Sequence, residues 1–186
     1  MKRIIQYNAP TTLTFALISF LVLLIAQATD GASTLKYFCV YRSSLTDVLT
    51  YPRFFTHVLG HSNFAHYAGN MTLLLVLGPA LEERYGSLTM FWTILATAFL
   101  SGLIQWLLFP GSALLGASGI VFMMILMSSL GGSRGRGIPL TLILVFIIYI
   151  GGEIVDGVTL ADNVSHLTHI VGGLCGAVIG VGLRRR

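Results

Sequence analysis

Charge is what this sequence has least of. Asp, Glu, Lys and Arg make up 10% of its 186 residues, where a soluble globular domain carries about 25%. Hydrophobic residues fill 55% and the mean hydropathy is +0.83, so a water-soluble fold is excluded. Cysteine is equally scarce. Cys39 and Cys175 lie far apart, one in a loop stretch and one in an apolar stretch. They offer neither a disulfide framework nor a thiolate metal site. Cys175 reads as packing, and Cys39 carries no message. The N-terminal run "MKRIIQYNAPTTLTFALISFLVLLIAQATDG" lacks a small-x-small cleavage site and is long enough to span, so it reads as a helix rather than a cleaved signal. Internal repeats and low-complexity tracts are missing too.

What the chain has instead is long apolar runs, which mark transmembrane helices. Six are read, at about 11–29, 62–81, 88–108, 115–130, 138–152 and 164–183. The fourth and fifth are short for a bilayer that takes roughly 20 residues per span. The expected fold is an all-α polytopic membrane protein, a single domain of six helices. Six spans put both termini on one side. With that side cytoplasmic, Lys2, Arg3, Arg84, Arg134, Arg136, Arg184, Arg185 and Arg186 lie inside and only Lys36, Arg42 and Arg53 outside. That distribution follows the positive-inside rule. The net charge of +4 therefore reads as topology, and no nucleic-acid partner is expected. Residues 30–61 form the one sizeable loop, whose mixed aromatic and charged composition suits the membrane interface. "GGSRGRG", 131–137, reads as a flexible basic turn.

Polar residues inside a membrane are costly and are functional candidates. His66 and Asn70 stand four apart in the second segment and so share a helix face. Ser118 opens the fourth segment between Gly116 and Gly119, and the sixth carries His166 and His169. The second, fourth and sixth segments run in the same direction. His66, Asn70, Ser118 and His169 therefore sit at one depth, in the outer half of the bilayer. In the sixth segment His169 projects near the centre of the Gly172–Gly176–Gly180 face, which admits a close helix neighbour, and His166 lies off it. The glycine-flanked Ser118 helix is the natural neighbour. A serine hydroxyl next to an imidazole is a nucleophile with its base. Asn70, His66 and the Ser118 N–H are then candidate oxyanion donors. These three segments hold no acid, so the pair would work as a dyad. Arg53 taken alone reads as solvated, and His57 and His61 as loop or helix-start residues.

The sequence resembles the rhomboid intramembrane serine proteases over nearly its whole length, as a minimal six-helix core of bacterial type. "GASG" around Ser118 matches the nucleophile motif, "HIVGGLCG" from His169 the base motif, and "HSNFAHYAGN" ending at Asn70 the second-helix motif. "ALEERYG" matches the turn after that helix and implies structural roles for Glu82 and Gly86. Two positions depart from the family pattern: Pro52 precedes Arg53 where tryptophan is frequent, and Phe122 stands where tyrosine is frequent. The resemblance nonetheless implies a structural role for Arg53. The resemblance implies a serine endopeptidase that cleaves transmembrane protein substrates, with Ser118 attacking and His169 as base and acid. It also implies that His66 and Asn70 line the oxyanion site, with Gly116, Gly119, Phe122 and Gly172 as support. Substrate helices would enter from the lipid past the fifth helix. Neither a metal nor an organic cofactor is expected. The expected location is a bacterial inner membrane, with the site opening to the periplasmic or extracellular side. Two rivals are a transporter or channel with a divalent-metal path built from the five histidines and a silent, rhomboid-like binder of membrane helices. Replacing Ser118 separates proteolysis from transport.

Overall fold

The computed structural model describes residues 6–131, together with the helical positions Leu140, Ile143, Leu144, Ile147 and Val178. The expected fifth and sixth spans otherwise lie outside the described residues, and with them His166, His169, Gly172 and Cys175.

Three described helices are long and apolar enough to cross a membrane: α1 (Pro10–Ala28), α4 (Phe64–Tyr85) and α5 (Ser87–Leu108). Helix α1 opens on a proline, whose fixed φ suits the first helical turn. The backbone N–H groups of Thr11 and Thr12 in that turn have no acceptor within the helix. The buried Glu82 carboxylate supplies one from α4, at 2.8 and 3.0 Å, and also accepts the Thr12 hydroxyl at 2.8 Å. Helix α1 crosses α4 at Gly78, where a Cβ would sit 2.5 Å from Thr12 Cγ2. Gly86 alone joins α4 to α5. Its φ of +84° is one that side chains rarely adopt, and nothing else lies near it. The second span thus runs four residues past the expected 81 before that turn ends it.

Between α1 and α4 the chain forms α2 (Ala32–Tyr37), β1 (Val40–Tyr41), α3 (Thr50–Thr56) and a 3₁₀ turn (His57–Leu59). Leu35, Leu45, Val48 and Tyr51 are exposed on this segment, as suits an interfacial surface. Its later part goes deeper. His57 Nε2 donates to the carbonyl of Ala98, halfway along the 22-residue α5, at 3.1 Å. The Phe54 backbone passes so close to Gly102 that a Cβ there would lie 2.9 Å from the Phe54 oxygen. Arg53 is buried, against the solvated reading. It donates to Lys36 O and Asp47 Oδ2, each at 2.9 Å, and its guanidinium lies 4.7 Å from the Tyr41 ring centroid. Those partners compensate its desolvation. Arg42 hooks the same loop to the end of α5 through the carbonyls of Trp106 and Leu107.

After α5, β2 (Ala113–Leu114) pairs antiparallel with β1, a small sheet that an all-helical expectation leaves out. Helix α6 (Ser118–Gly131) starts three residues later than the expected 115, because the chain leaves β2 through Leu115 and bends at Gly116 and Ala117 before the helix begins. Ile120, Val121, Phe122, Met123, Met124 and Met127 are all buried to within 1%. The buried residues cover most of the helix, leaving Ser118, Ile125 and Ser129 half-buried and Ser128 exposed, as suits an inner helix of a bundle, and α6 packs against both α4 and α5.

Candidate active site

Ser118 is the first residue of α6, half-buried, between the buried Ala117 and Gly119. The first backbone bond of the helix runs from Val121 N to Ala117 O at 2.9 Å. The N–H groups of Ser118, Gly119 and Ile120 therefore have no acceptor within the helix, and the positive end of its dipole adds to them. A negative charge developing beside Ser118 would meet both.

The turn before the serine is held from two sides. Gly116 N donates to the His57 carbonyl at 3.0 Å, which ties the turn to the buried 3₁₀ segment. Gly116 has φ +114°, and a Cβ built on it would lie 2.7 Å from His66 Nε2, 2.8 Å from His66 Cε1 and 3.8 Å from Asn70 Nδ2. Only glycine satisfies both demands. The edge of the His66 ring that carries Nε2 thus lies against the backbone two residues before Ser118, with the Asn70 amide beside it.

Helix α4 aims these two side chains. Asn63 has extended backbone and accepts from His66 N through its side chain at 2.9 Å, an N-cap that fixes where the helix starts. His66 is the third residue of α4, and Asn70 follows one turn later on the same face. Asn70 is buried, and its Nδ2 has no hydrogen-bond partner among the described residues. Leaving such a donor unpaired costs about 1–3 kcal/mol. Phe122 is buried one turn beyond Ser118. His169 and Gly172, expected to complete the site, lie outside the described residues.

Several residues near the site escaped the sequence. His57 and His61 lie in the loop as expected, but both are buried. Burial lowers the His57 pKa from 6.5 to about 4, against a smaller opposing effect of its bond to Ala98. His61 also falls to about 4, first through burial and then through neighbouring His66. Its ring meets His66 edge to face at 5.1 Å. Burial likewise pushes the Cys39 thiol up to about 11, so it is an inert packing residue. Helix α5 carries a buried polar stripe of Thr93, Thr97, Ser101 and Gln105. Its four-residue spacing was legible and could have been read as one inward face. Ser101 Oγ lies 3.5 Å from His57 Nε2, and Gln105 Nε2 donates to Ser112 Oγ at 3.0 Å.

A cavity of about 540 Å³ opens beside the serine turn, between the end of α1, α2 and the start of α4. Leu115, His61, Ser62 and Asn63 line one side, with Gln27, Asp30 and Thr34 opposite. No group of three His, Cys, Asp or Glu side chains among the described residues is placed to hold a metal ion.

Residues 49–186 match the family model described as the Rhomboid domain. Rhomboid-like protein 11, chloroplastic, of Arabidopsis thaliana is 28% identical over 142 residues, which cover 68% of this chain and 50% of that protein. Rhomboid protease GlpG of Serratia proteamaculans is 29% identical over 171 residues, which cover 89% of this chain and 60% of that protein. The chain spans half to three-fifths of the length of these relatives. The family match takes in well over half of the chain, including the α4 start and the serine turn that meet at Gly116. This protein belongs to the rhomboid family.

Proposed function

We propose that this protein is an intramembrane serine endopeptidase that hydrolyses peptide bonds in or near the transmembrane helices of other membrane proteins. Ser118 Oγ attacks the scissile carbonyl carbon and its proton passes to His169. The carbonyl oxygen becomes an oxyanion held by the Ser118 N–H, Asn70 and His66. Collapse expels the amine, which takes its proton from His169, and leaves an acyl-enzyme. Water, deprotonated by the same histidine, then releases the second product.

One observation carries this reading more than any other. The His66 Nε2 edge and the Asn70 amide converge on Gly116, immediately ahead of a serine that starts a buried helix. The family match extends over the His169 region, and the name of the Serratia relative describes a protease. The reading includes six spans, both termini on the cytoplasmic side and placement in a bacterial inner membrane. The eight-to-three division of basic residues supports the orientation. Lateral entry of substrate past the fifth helix belongs to the same proposal.

The test is cleavage of a reporter transmembrane substrate in proteoliposomes by wild type, Ser118→Ala and His169→Ala. Loss in both variants, with cleavage by wild type, is the expected result. Cleavage retained by Ser118→Ala would refute the mechanism. Substrate would pass residues 151–163, between the expected fifth and sixth spans; cross-linking this stretch to α4 should block membrane substrates, and unaffected cleavage would refute that entry route.

A further inference from the structure

The ring edge of His66 that faces the serine turn is only half of its chemistry. A neutral imidazole has one N–H donor and one lone-pair acceptor, so the partner of one nitrogen decides what the other can do. His66 Nε2 lies against Gly116, where it would have to donate in order to hold an oxyanion. On the other nitrogen, Ser62 Oγ lies 3.2 Å from Nδ1. We propose that Ser62 is a positioning residue of the active site. Its hydroxyl donates to His66 Nδ1 and keeps the ring proton on Nε2, aimed at the turn before Ser118. This rests on the protease reading, and it deepens it by naming what sets the donor.

The neighbouring groups fit this assignment. Asn63 has its side-chain oxygen committed to His66 N as the helix cap. His61 turns its Nδ1 to the Leu59 carbonyl at 3.2 Å and meets His66 through ring contact at 73° between planes. Ser62 sits just outside the helix, on the wall of the cavity of about 540 Å³, where water can serve its remaining lone pairs. The opposite arrangement, with Nδ1–H donating to Ser62, would set a bare Nε2 lone pair against the developing oxyanion. It is therefore disfavoured most strongly at the moment of reaction. A substrate that excludes water from the site would strengthen the Ser62 bond further.

The experiment is ¹⁵N NMR of histidine-labelled full chain in micelles, where protonated and bare ring nitrogens of a neutral imidazole resonate far apart. A His66→Ala spectrum assigns the signals. Wild type and Ser62→Thr, which keeps the hydroxyl, should carry the proton on Nε2. Ser62→Ala should raise the Nδ1-protonated fraction and lower kcat by about 2- to 10-fold, the worth of one neutral hydrogen bond, with KM unchanged. Ser62→Thr should restore the rate. An unaltered His66 tautomer in Ser62→Ala overturns the proposal whatever the rate does, and so does an unaltered kcat. If wild type cleaves no substrate, the protease reading has failed, and the tautomer comparison alone still decides whether Ser62 sets the His66 proton.

Discussion

Gly116→Ala puts the geometry of the site to a quantitative test. Two separate penalties are predicted. The backbone φ of +114° is one that alanine rarely adopts, and holding a side-chain-bearing residue there costs about 1–3 kcal/mol. The new methyl would also stand 2.7 Å from His66 Nε2 and 2.8 Å from Cε1. The ring has to retreat by roughly 0.7 Å to reach an ordinary contact, an overpacking penalty of about 1–3 kcal/mol. The sum is about 2–6 kcal/mol of stability, measurable as a lowered thermal midpoint in detergent. Catalysis should suffer as well, because a catalytic group displaced by about 1 Å can lose 10²-fold in rate. A double-mutant cycle separates the two penalties. In a His66→Ala background the clash is gone but the φ strain remains, so the stability effect of Gly116→Ala should shrink by about 1–3 kcal/mol. Equal effects in both backgrounds would refute the contact between His66 and the serine turn. A Gly116→Ala protein as stable and active as wild type would refute both penalties.

The cap of α1 gives a second prediction. Glu82→Ala leaves the Thr11 and Thr12 N–H groups and the Thr12 hydroxyl without their acceptor, at about 1–3 kcal/mol each. Glu82→Gln should lose less, and unfolding in detergent with rising temperature ranks the two against wild type. Acid should also weaken the fold. His57 is bonded within the folded chain with a pKa of about 4 against 6.5, so between these values the unfolded chain binds a proton that the folded one does not. Stability is then full above about pH 6.5 and falls as pH drops toward 4, by roughly 3 kcal/mol for this group at about 1.4 kcal/mol per pH unit. The thermal midpoint should fall across that range and the slope should flatten in His57→Gln; a midpoint constant from pH 7.5 to 4.5 contradicts the burial argument.

Much of the described helical frame was legible because membrane spans declare themselves by length and composition. The expected starts at 11 and 62 fall within two residues of Pro10 and Phe64, where α1 and α4 begin, while α4 ends at Gly86 rather than at the expected 81. The start of α6 did not follow from hydropathy. Ala113 and Leu114 are apolar enough to continue a helix, yet they pair with Tyr41 and Val40, a contact between segments some seventy residues apart. The burial of Arg53 was hidden for the same reason, since its partners Lys36, Tyr41 and Asp47 become neighbours only when the loop folds back. At the site, shared depth brought His66, Asn70 and Ser118 onto one level, and the structure adds what binds them together. That link is the close approach at Gly116, whose positive φ no local pattern announces. Ser62 was invisible as more than a helix-start serine, because its meaning depends on which ring nitrogen of His66 it meets.

In the proposed mechanism Ser118 is an activated nucleophile and His169 activates it. A fluorophosphonate probe tests this without requiring the physiological substrate, by labelling the purified protein in micelles and mapping the adduct by peptide mass spectrometry. A single adduct on Ser118 is expected, absent from Ser118→Ala and lost or greatly slowed in His169→Ala. An adduct on another residue, or Ser118 labelling at the wild-type rate in His169→Ala, would contradict it.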